Sequence, residues 1–238
     1  MSRDVSHDGS LLISYLKQYN LSELSKNQQY ITEIKVMHKK AYGYLLFIAE
    51  LTHQNLSTTM NNLIINFYQE SGSDMMQSIF NWANGSYKAS KFMLRSSIET
   101  FVKACVADHN PDIFEEKSLY KVFDIAKNHH FFTSHLGERY IDRIYNYYKV
   151  LCMTAHSTPT VNLASVSSMK MLPRYDAVLS QEFVKTFTTV VEFMLCVMFL
   201  SYSNYFYRMH DLNQTTFLST MSLMNKREIQ EFLSQQAT

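Results

Sequence analysis

Apolar residues recur along most of this chain at the three-and-four spacing of an amphipathic helix. Ile31, Ile34, Met37, Ala41, Tyr44, Leu45 and Ile48 keep that spacing, and they predict a long helix over about 26–54. A short helix over about 10–19 and a turn at 20–25 are expected before it. NLST at 55–58 supplies a Ser or Thr cap for the next helix, and SGSD at 71–74 is expected to interrupt the chain again. The following segment, 74–109, carries Trp82, with Gly85 as a break or a close-packing point. HNPD ends it, because Pro111 cannot continue a helix and restricts the residue before it. A shorter helix is expected at 118–128, a loop at HHFFTSHLG, and a strong helix over 138–156 that stops at STPT. Residues 161–175 read as an irregular connection. A long apolar helix over 177–208 and a polar tail with a last helix at 226–234 complete the pattern.

The composition agrees with helices and excludes several function classes. Only 5 Gly and 3 Pro among 238 residues leave few of the turn residues that β-rich or doubly wound folds consume. The expectation is one all-α domain over 1–238, a bundle of about six main helices with N-terminal helices at 10–70 and a polar tail at 209–238. A net charge of +1 gives no global pull toward nucleic acid or an anionic membrane, so any such contact has to be local. Cys105, Cys152 and Cys196 are widely spaced among apolar neighbours and read as reduced core residues. MSRDVSHDGS is polar and resembles no export signal, which makes the cytoplasm the expected location. VVEFMLCVMFL is shorter than the roughly 20 residues a membrane span needs, and Gln181, Lys185, Thr188 and Glu192 share one side of its helix. A buried bundle helix is expected there, with no membrane partner.

Two polar constellations interrupt the apolar faces. In NGSYKASKFMLRSSIETFVK, at about 100° per residue, Arg95 and Glu99 are flanked on both sides by apolar positions, including Leu94, Ile98 and Val102 on one side and Phe92 on the other. A charge placed there is costly unless it is paired or used. The pair therefore either fixes bundle register or lines a polar pocket, in which Arg holds phosphate or carboxylate. Lys88, Lys91 and Lys103 lie close in sequence and form either a local basic patch or a solvated face.

In YYKVLCMTAHS, Lys149 and Cys152 share a helix face with His156, as does the nearby Tyr145, while Tyr148 lies to one side. A Cys–His nucleophile lacks a visible orienting group, and a lone His in a last turn also serves as a cap or a dipole partner. His129, His130 and His135 carry no metal-ligand spacing and read as loop histidines, so neither a metal nor a cofactor is expected. The phosphate-loop, dinucleotide and nucleophile-elbow signatures are absent from the sequence.

Gly85, Tyr87, Ala89, Leu94, Arg95, Ser96, Ile98 and Glu99, followed by Tyr148, Leu151 and His156, together resemble bacterial HEPN-like helical proteins, some of which occur in abortive-infection, phage-defence or toxin systems. The resemblance covers roughly 75–205. It implies a HEPN-like core and RNA as a partner. It also implies a homodimer, in which an Arg and a His, four to six residues apart on one helix, act on a phosphodiester. Here no Arg precedes a His at that interval; Lys149 is the nearest substitute, and it cannot offer a planar fork. The resemblance then assigns His156 as general acid or base, Arg95 and Lys149 as stabilisers of the phosphorane charge, and Glu99 or Tyr148 as the orienting group. Tyr148 and Lys103 are the expected substrate contacts. The alternative is a non-catalytic helical subunit of a larger complex, in which Arg95, Glu99 and His156 form a structural network or bind a small anion or a partner segment.

Overall fold

The apolar spacing folds into ten α-helices among the described residues, with no strand between them. The computed structural model describes residues 5–18, 24–54, 62–155 and 172–236. The helices are α1 (Val5–Gln18), α2 (Gln28–His53), α3 (Asn62–Ala83), α4 (Tyr87–Val106), α5 (Leu119–Asn128), α6 (His135–Ala155), α7 (Ala177–Ser201), α8 (Ser203–Phe206), α9 (Asp211–Ser219) and α10 (Leu223–Gln236). The expected cap at 55–58, the stop at STPT and most of the 161–175 connection lie outside the described residues.

The expected interruption at SGSD is absent, because α3 runs through it. Its small residues serve a different purpose. Ser71 donates its hydroxyl to the Ser97 carbonyl at 2.8 Å, and Ser97 returns a bond of 2.8 Å to the Ser71 carbonyl. Two turns further along α3, Ser78 donates to the Ser90 carbonyl at 2.8 Å. Ser71 and Ser78 ascend α3 while Ser97 and Ser90 descend α4, so the seam is antiparallel and the two backbones approach closely. Gly72 brings α2 equally near, since a Cβ there would stand 2.8 Å from a Leu45 methyl.

The hairpin turns at Asn84 and Gly85. Gly85 has φ of 81°, and a Cβ would meet the Arg174 carbonyl oxygen at 2.4 Å. Both the left-handed backbone and the space demand glycine. The 74–109 segment therefore breaks there into α3 and α4.

Around this hairpin, α2 packs on α3 and α7, while α6 packs on α7 and on α4, which sets the helices carrying the two polar constellations side by side. Asn27 caps α2 and Asp176 caps α7, each accepting two backbone N–H groups. Trp82 is buried where these elements meet: it stacks on Tyr30 at 4.9 Å and donates its indole N–H to Ser180 at 2.9 Å. Helix α7 has the length and apolarity to cross a membrane. In the fold, Phe183, Phe187, Val190, Val191, Met194 and Leu195 are buried in the core.

Two expectations are corrected at the C-terminal end. The long 177–208 helix stops at Ser201, and Tyr202 separates it from α8. The polar 209–238 tail carries two helices, α9 and α10, where one at 226–234 is expected; its Phe217 and Ile229 are wholly buried, and Phe217 packs on Phe47 at 4.8 Å. Glu192 holds the tail in place. It pairs with Lys40 and accepts from the Ser222 amide at 2.8 Å and the Asn225 side chain at 2.9 Å.

The reciprocal serine bonds predict strong coupling between Ser71 and Ser97. Ser71→Ala and Ser97→Ala should each cost about 0.5–1.5 kcal/mol, because each removes a buried hydroxyl-to-carbonyl bond. The double variant should cost less than the sum by roughly 0.5 kcal/mol or more. Urea unfolding of the four chains measures this, and strict additivity would reject the coupling.

Candidate functional site

Arg95 turns away from Glu99. Its Nη2 donates to the Tyr148 hydroxyl at 3.1 Å, and its guanidinium carbon lies 5.4 Å from the centre of the Tyr148 ring. Its Nε is buried and has no hydrogen-bond partner. Among the described residues no ion pair joins Arg95 to Glu99; Glu99 pairs instead with Lys103 at 3.7 Å. The geometric reason is visible in the neighbours. Glu99 faces α3, where it and Glu70 add to the effect of burial in raising the Asp74 carboxyl, against a hydrogen bond from Ser96. Arg95 lies a turn earlier and points to α6. The two charges thus serve different interfaces.

The expected lysine patch also divides. Lys91 and Lys103 are largely buried: Lys91 pairs with Glu182 at 2.7 Å, and Lys103 donates to the Phe114 carbonyl at 3.5 Å as well as pairing with Glu99. Neither is free to receive a ligand.

What the fold does gather is a cleft of about 670 Å³ between α4, the start of α5 and the last turns of α6. It is lined by Arg95, Lys117, Ser118, Leu119, Tyr120, Tyr145, Tyr148, Lys149, Cys152 and Met153. Of the face expected on α6, Tyr145, Lys149 and Cys152 line this cavity with Arg95, and so does Tyr148, which the spacing sets to one side. Glu99 and Lys103 are not among the lining residues, and His156 lies outside the described residues. The sequence reading missed Lys117, Ser118 and Tyr120, because their helix is short and its approach to α6 is set by tertiary packing. The one signal in the sequence was a Ser before an apolar-periodic stretch, which marks a helix start.

The electrostatics of the cleft are one-sided. Arg95, Lys117 and Lys149 line it, no carboxylate does, and among the described residues none of the three is in an ion pair. Lys149 sits with its ammonium 4.6 Å from the Tyr145 ring centre. Ser118, the N-cap of α5, makes no side-chain cap bond, and with Leu119 and Tyr120 it brings the positive end of that helix to the cleft. Glu116, beside it, takes the Ser118 amide at 2.6 Å. Tyr148 is nearly covered, and burial pushes its phenol up to about 12, assisted by Cys152 and opposed by Arg95. It stays protonated at neutral pH, accepts from Arg95 and holds that fork in place. Cys105 and Cys196 are buried, but Cys152 is only partly covered and opens on the cleft.

A second cluster lies at the other end of α5. Asp108 and His109 follow the end of α4, and His129 and His130 follow the end of α5. The four offer ligand atoms that all lie within 4.8 Å of one another. His129 is buried, while the other three are exposed. Burial works to raise the Asp108 carboxyl, but hydrogen bonds from His109 and His129 outweigh it and hold it below the usual range. Burial lowers His129 despite Asp108 beside it. The loop reading of HHFFTSHLG is corrected accordingly: His130–Phe132 forms a 3-10 turn, α6 begins at His135, and Phe132 is buried. Two dipeptides, DH and HH, each just past a helix end, were the sequence signal for this cluster.

Compared with known proteins, the chain matches no family model, no curated protein and no solved structure.

The Tyr148 environment makes a pH prediction. Its folded pKa of about 12 stands above the unfolded value of 10.0, so its contribution is complete below pH 10 and is lost as pH rises toward 12. That contribution is about 2–3 kcal/mol. Other buried tyrosines add to the alkaline loss, so the expected observation is differential. Tyr148→Phe should show a shallower fall in unfolding free energy between pH 10 and 12 than the parent, and parallel curves would reject the assignment.

Proposed function

We propose that this chain binds single-stranded RNA in the cleft between α4, α5 and α6, as a HEPN-like component of a bacterial phage-defence or toxin system. The observation that carries the binding reading is the meeting of three cations without carboxylate partners and an exposed aromatic ring in one cavity. Arg95, which lines the cleft, offers a planar fork to a phosphodiester. Lys117 and Lys149 act as point charges along the backbone. Tyr120, 70% exposed at the rim, gives a base a face to stack on. The resemblance carried by Gly85, Arg95, Glu99, Tyr148 and His156 supports RNA as the ligand and a second copy of the chain as its partner.

In this reading Tyr148 positions Arg95. His156, the residue after the end of α6, supplies acid–base chemistry if cleavage occurs, with Arg95 and Lys149 stabilising the developing charge. Glu99 and Lys103 hold the α3 side of α4. A second reading, a non-catalytic module that binds a small anion, is favoured by the near-neutral overall charge of +1.

Fluorescence anisotropy with a short labelled single-stranded RNA separates the two. Arg95→Ala with Lys149→Ala should weaken binding at least tenfold and reduce the salt slope by about 0.7 for each phosphate that is no longer neutralised. Tyr120→Ala should cost about 1–3 kcal/mol. Unchanged RNA affinity in the double variant would overturn the proposal; phosphate binding without RNA binding would select the small-anion reading.

Cleavage is tested separately. His156→Ala should abolish any RNA cleavage, an effect of roughly 10²–10⁴-fold, and Lys149→Arg should increase it. Residual cleavage at the parent rate in His156→Ala would remove His156 from the chemistry.

A further inference from the structure

We propose that Asp108, His109, His129 and His130 form a zinc site that fastens the end of α4 to the connection between α5 and α6. The cluster is independent of the RNA cleft, about 20 Å away along α4 at 1.5 Å per residue. His129 Nε2 lies 2.8 Å from Asp108 Oδ1 and 3.3 Å from His109 Nδ1, and His109 Nδ1 lies 2.9 Å from Asp108 Oδ2. Tetrahedral zinc, with bonds of about 2.0–2.1 Å, separates its ligand atoms by about 3.3–3.4 Å. The His129–His109 separation already fits; the two Asp108 contacts run to different carboxylate oxygens and need to open by about 0.5 Å, with the carboxylate turning one oxygen to the ion, and His130 closes in from its place within the 4.8 Å cluster.

Three imidazoles and one carboxylate suit zinc better than magnesium or calcium, which take oxygen ligands. The surroundings favour a cation as well. Asp108 and His109 stand one and two residues beyond the C-cap of α4, Ala107, and His129 is itself the C-cap of α5. Two helix ends with partial negative charge therefore converge on the cluster. His129 is the fixed ligand. It is buried, and its ring contacts His109 at 5.0 Å and His130 at 4.2 Å between centroids.

Metal binding shifts two tautomers: the His109 Nδ1 proton, donated to Asp108, moves to Nε2, and His129 changes as well. His129 Nδ1 accepts the Phe131 amide at 3.3 Å, so in the metal-free chain its proton sits on Nε2 and is donated to Asp108. When zinc takes Nε2, that proton moves to Nδ1 and the Phe131 bond, already long, opens. The imidazole stays neutral and no proton balance is left over. The site is a staple: four protein ligands leave no open position for a reacting group.

The test uses the untagged full chain after chelator treatment. Calorimetric titration with zinc chloride should show one ion per chain, and zinc should raise the melting temperature while magnesium does not. His109→Ala with His130→Ala changes only exposed rings, and it should weaken zinc binding at least tenfold and abolish the thermal shift. Asp108→Asn should weaken it in the same direction with the shape preserved. His53→Ala, an exposed histidine elsewhere, should bind as the parent does. Cobalt should give the intense visible absorption of a tetrahedral site. A double variant that binds like the parent, a His53→Ala chain that loses binding, or absence of saturable binding by the parent would each overturn the proposal.

Discussion

The α3–α4 serine seam is the constraint on which the other placements depend. Ser71 and Ser97 exchange hydroxyl-to-carbonyl bonds, and Ser78 reaches the Ser90 carbonyl, so two helix backbones come together with almost no side-chain volume between them. Such a seam fixes both register and rotation: a helix turned by one residue would lose all three bonds at once and leave buried serine hydroxyls without these partners. With its seam face committed to α3, α4 has one remaining choice for each charge. Glu99 stays on the α3 side and takes Lys103, while Arg95 falls on the α6 side and meets Tyr148. The division of a pair that sequence places one turn apart follows from that rotation.

Helix α5 then organises the polar chemistry at both of its ends. Its N-terminus, at Ser118–Tyr120, joins the three cations of the cleft, and its C-terminus, at His129, joins the carboxylate and imidazoles of the second cluster. A helix dipole favours this order, with an anion at the positive end and a cation at the negative end. Glu116 shows the same preference within the protein, since its carboxylate takes the Ser118 amide and its pKa is lowered chiefly by that bond. The short helix is therefore less a connector than a polar strut between two sites of opposite sign.

How much of this was legible depends on whether a feature is local. Helical class followed from the spacing of residues such as Ile34, Met37 and Ala41, all wholly buried in α2. The α6 face was legible for the same reason, because one helix carries Tyr145, Tyr148, Lys149 and Cys152. SGSD misled because serine, glycine and aspartate favour breaks in isolation, and their use as a close-packing seam becomes visible only when α4 supplies Ser97 and Ser90. The polar tail misled similarly. Its apolar residues are scattered among polar ones, yet Phe217 and Ile229 fill the core, and Glu192 anchors the Ser222 amide. The histidine cluster needs two helix ends brought together, and no single window of sequence contains it.

Arg95 shows how a partly satisfied group differs from a structural one. Lys40 and Lys91 are cations in the same fold, and each is matched to a carboxylate, Glu192 and Glu182 respectively. Arg95 has a phenol, an aromatic face and a nearby thiol but no counter-charge among the described residues, and its Nε makes no bond. Burial works against the Arg95 charge, but its interactions with Tyr148 and Cys152 outweigh that effect and raise its pKa. Among these three cations Arg95 is the one held by a phenol and not a carboxylate, and it is the one that lines the cleft.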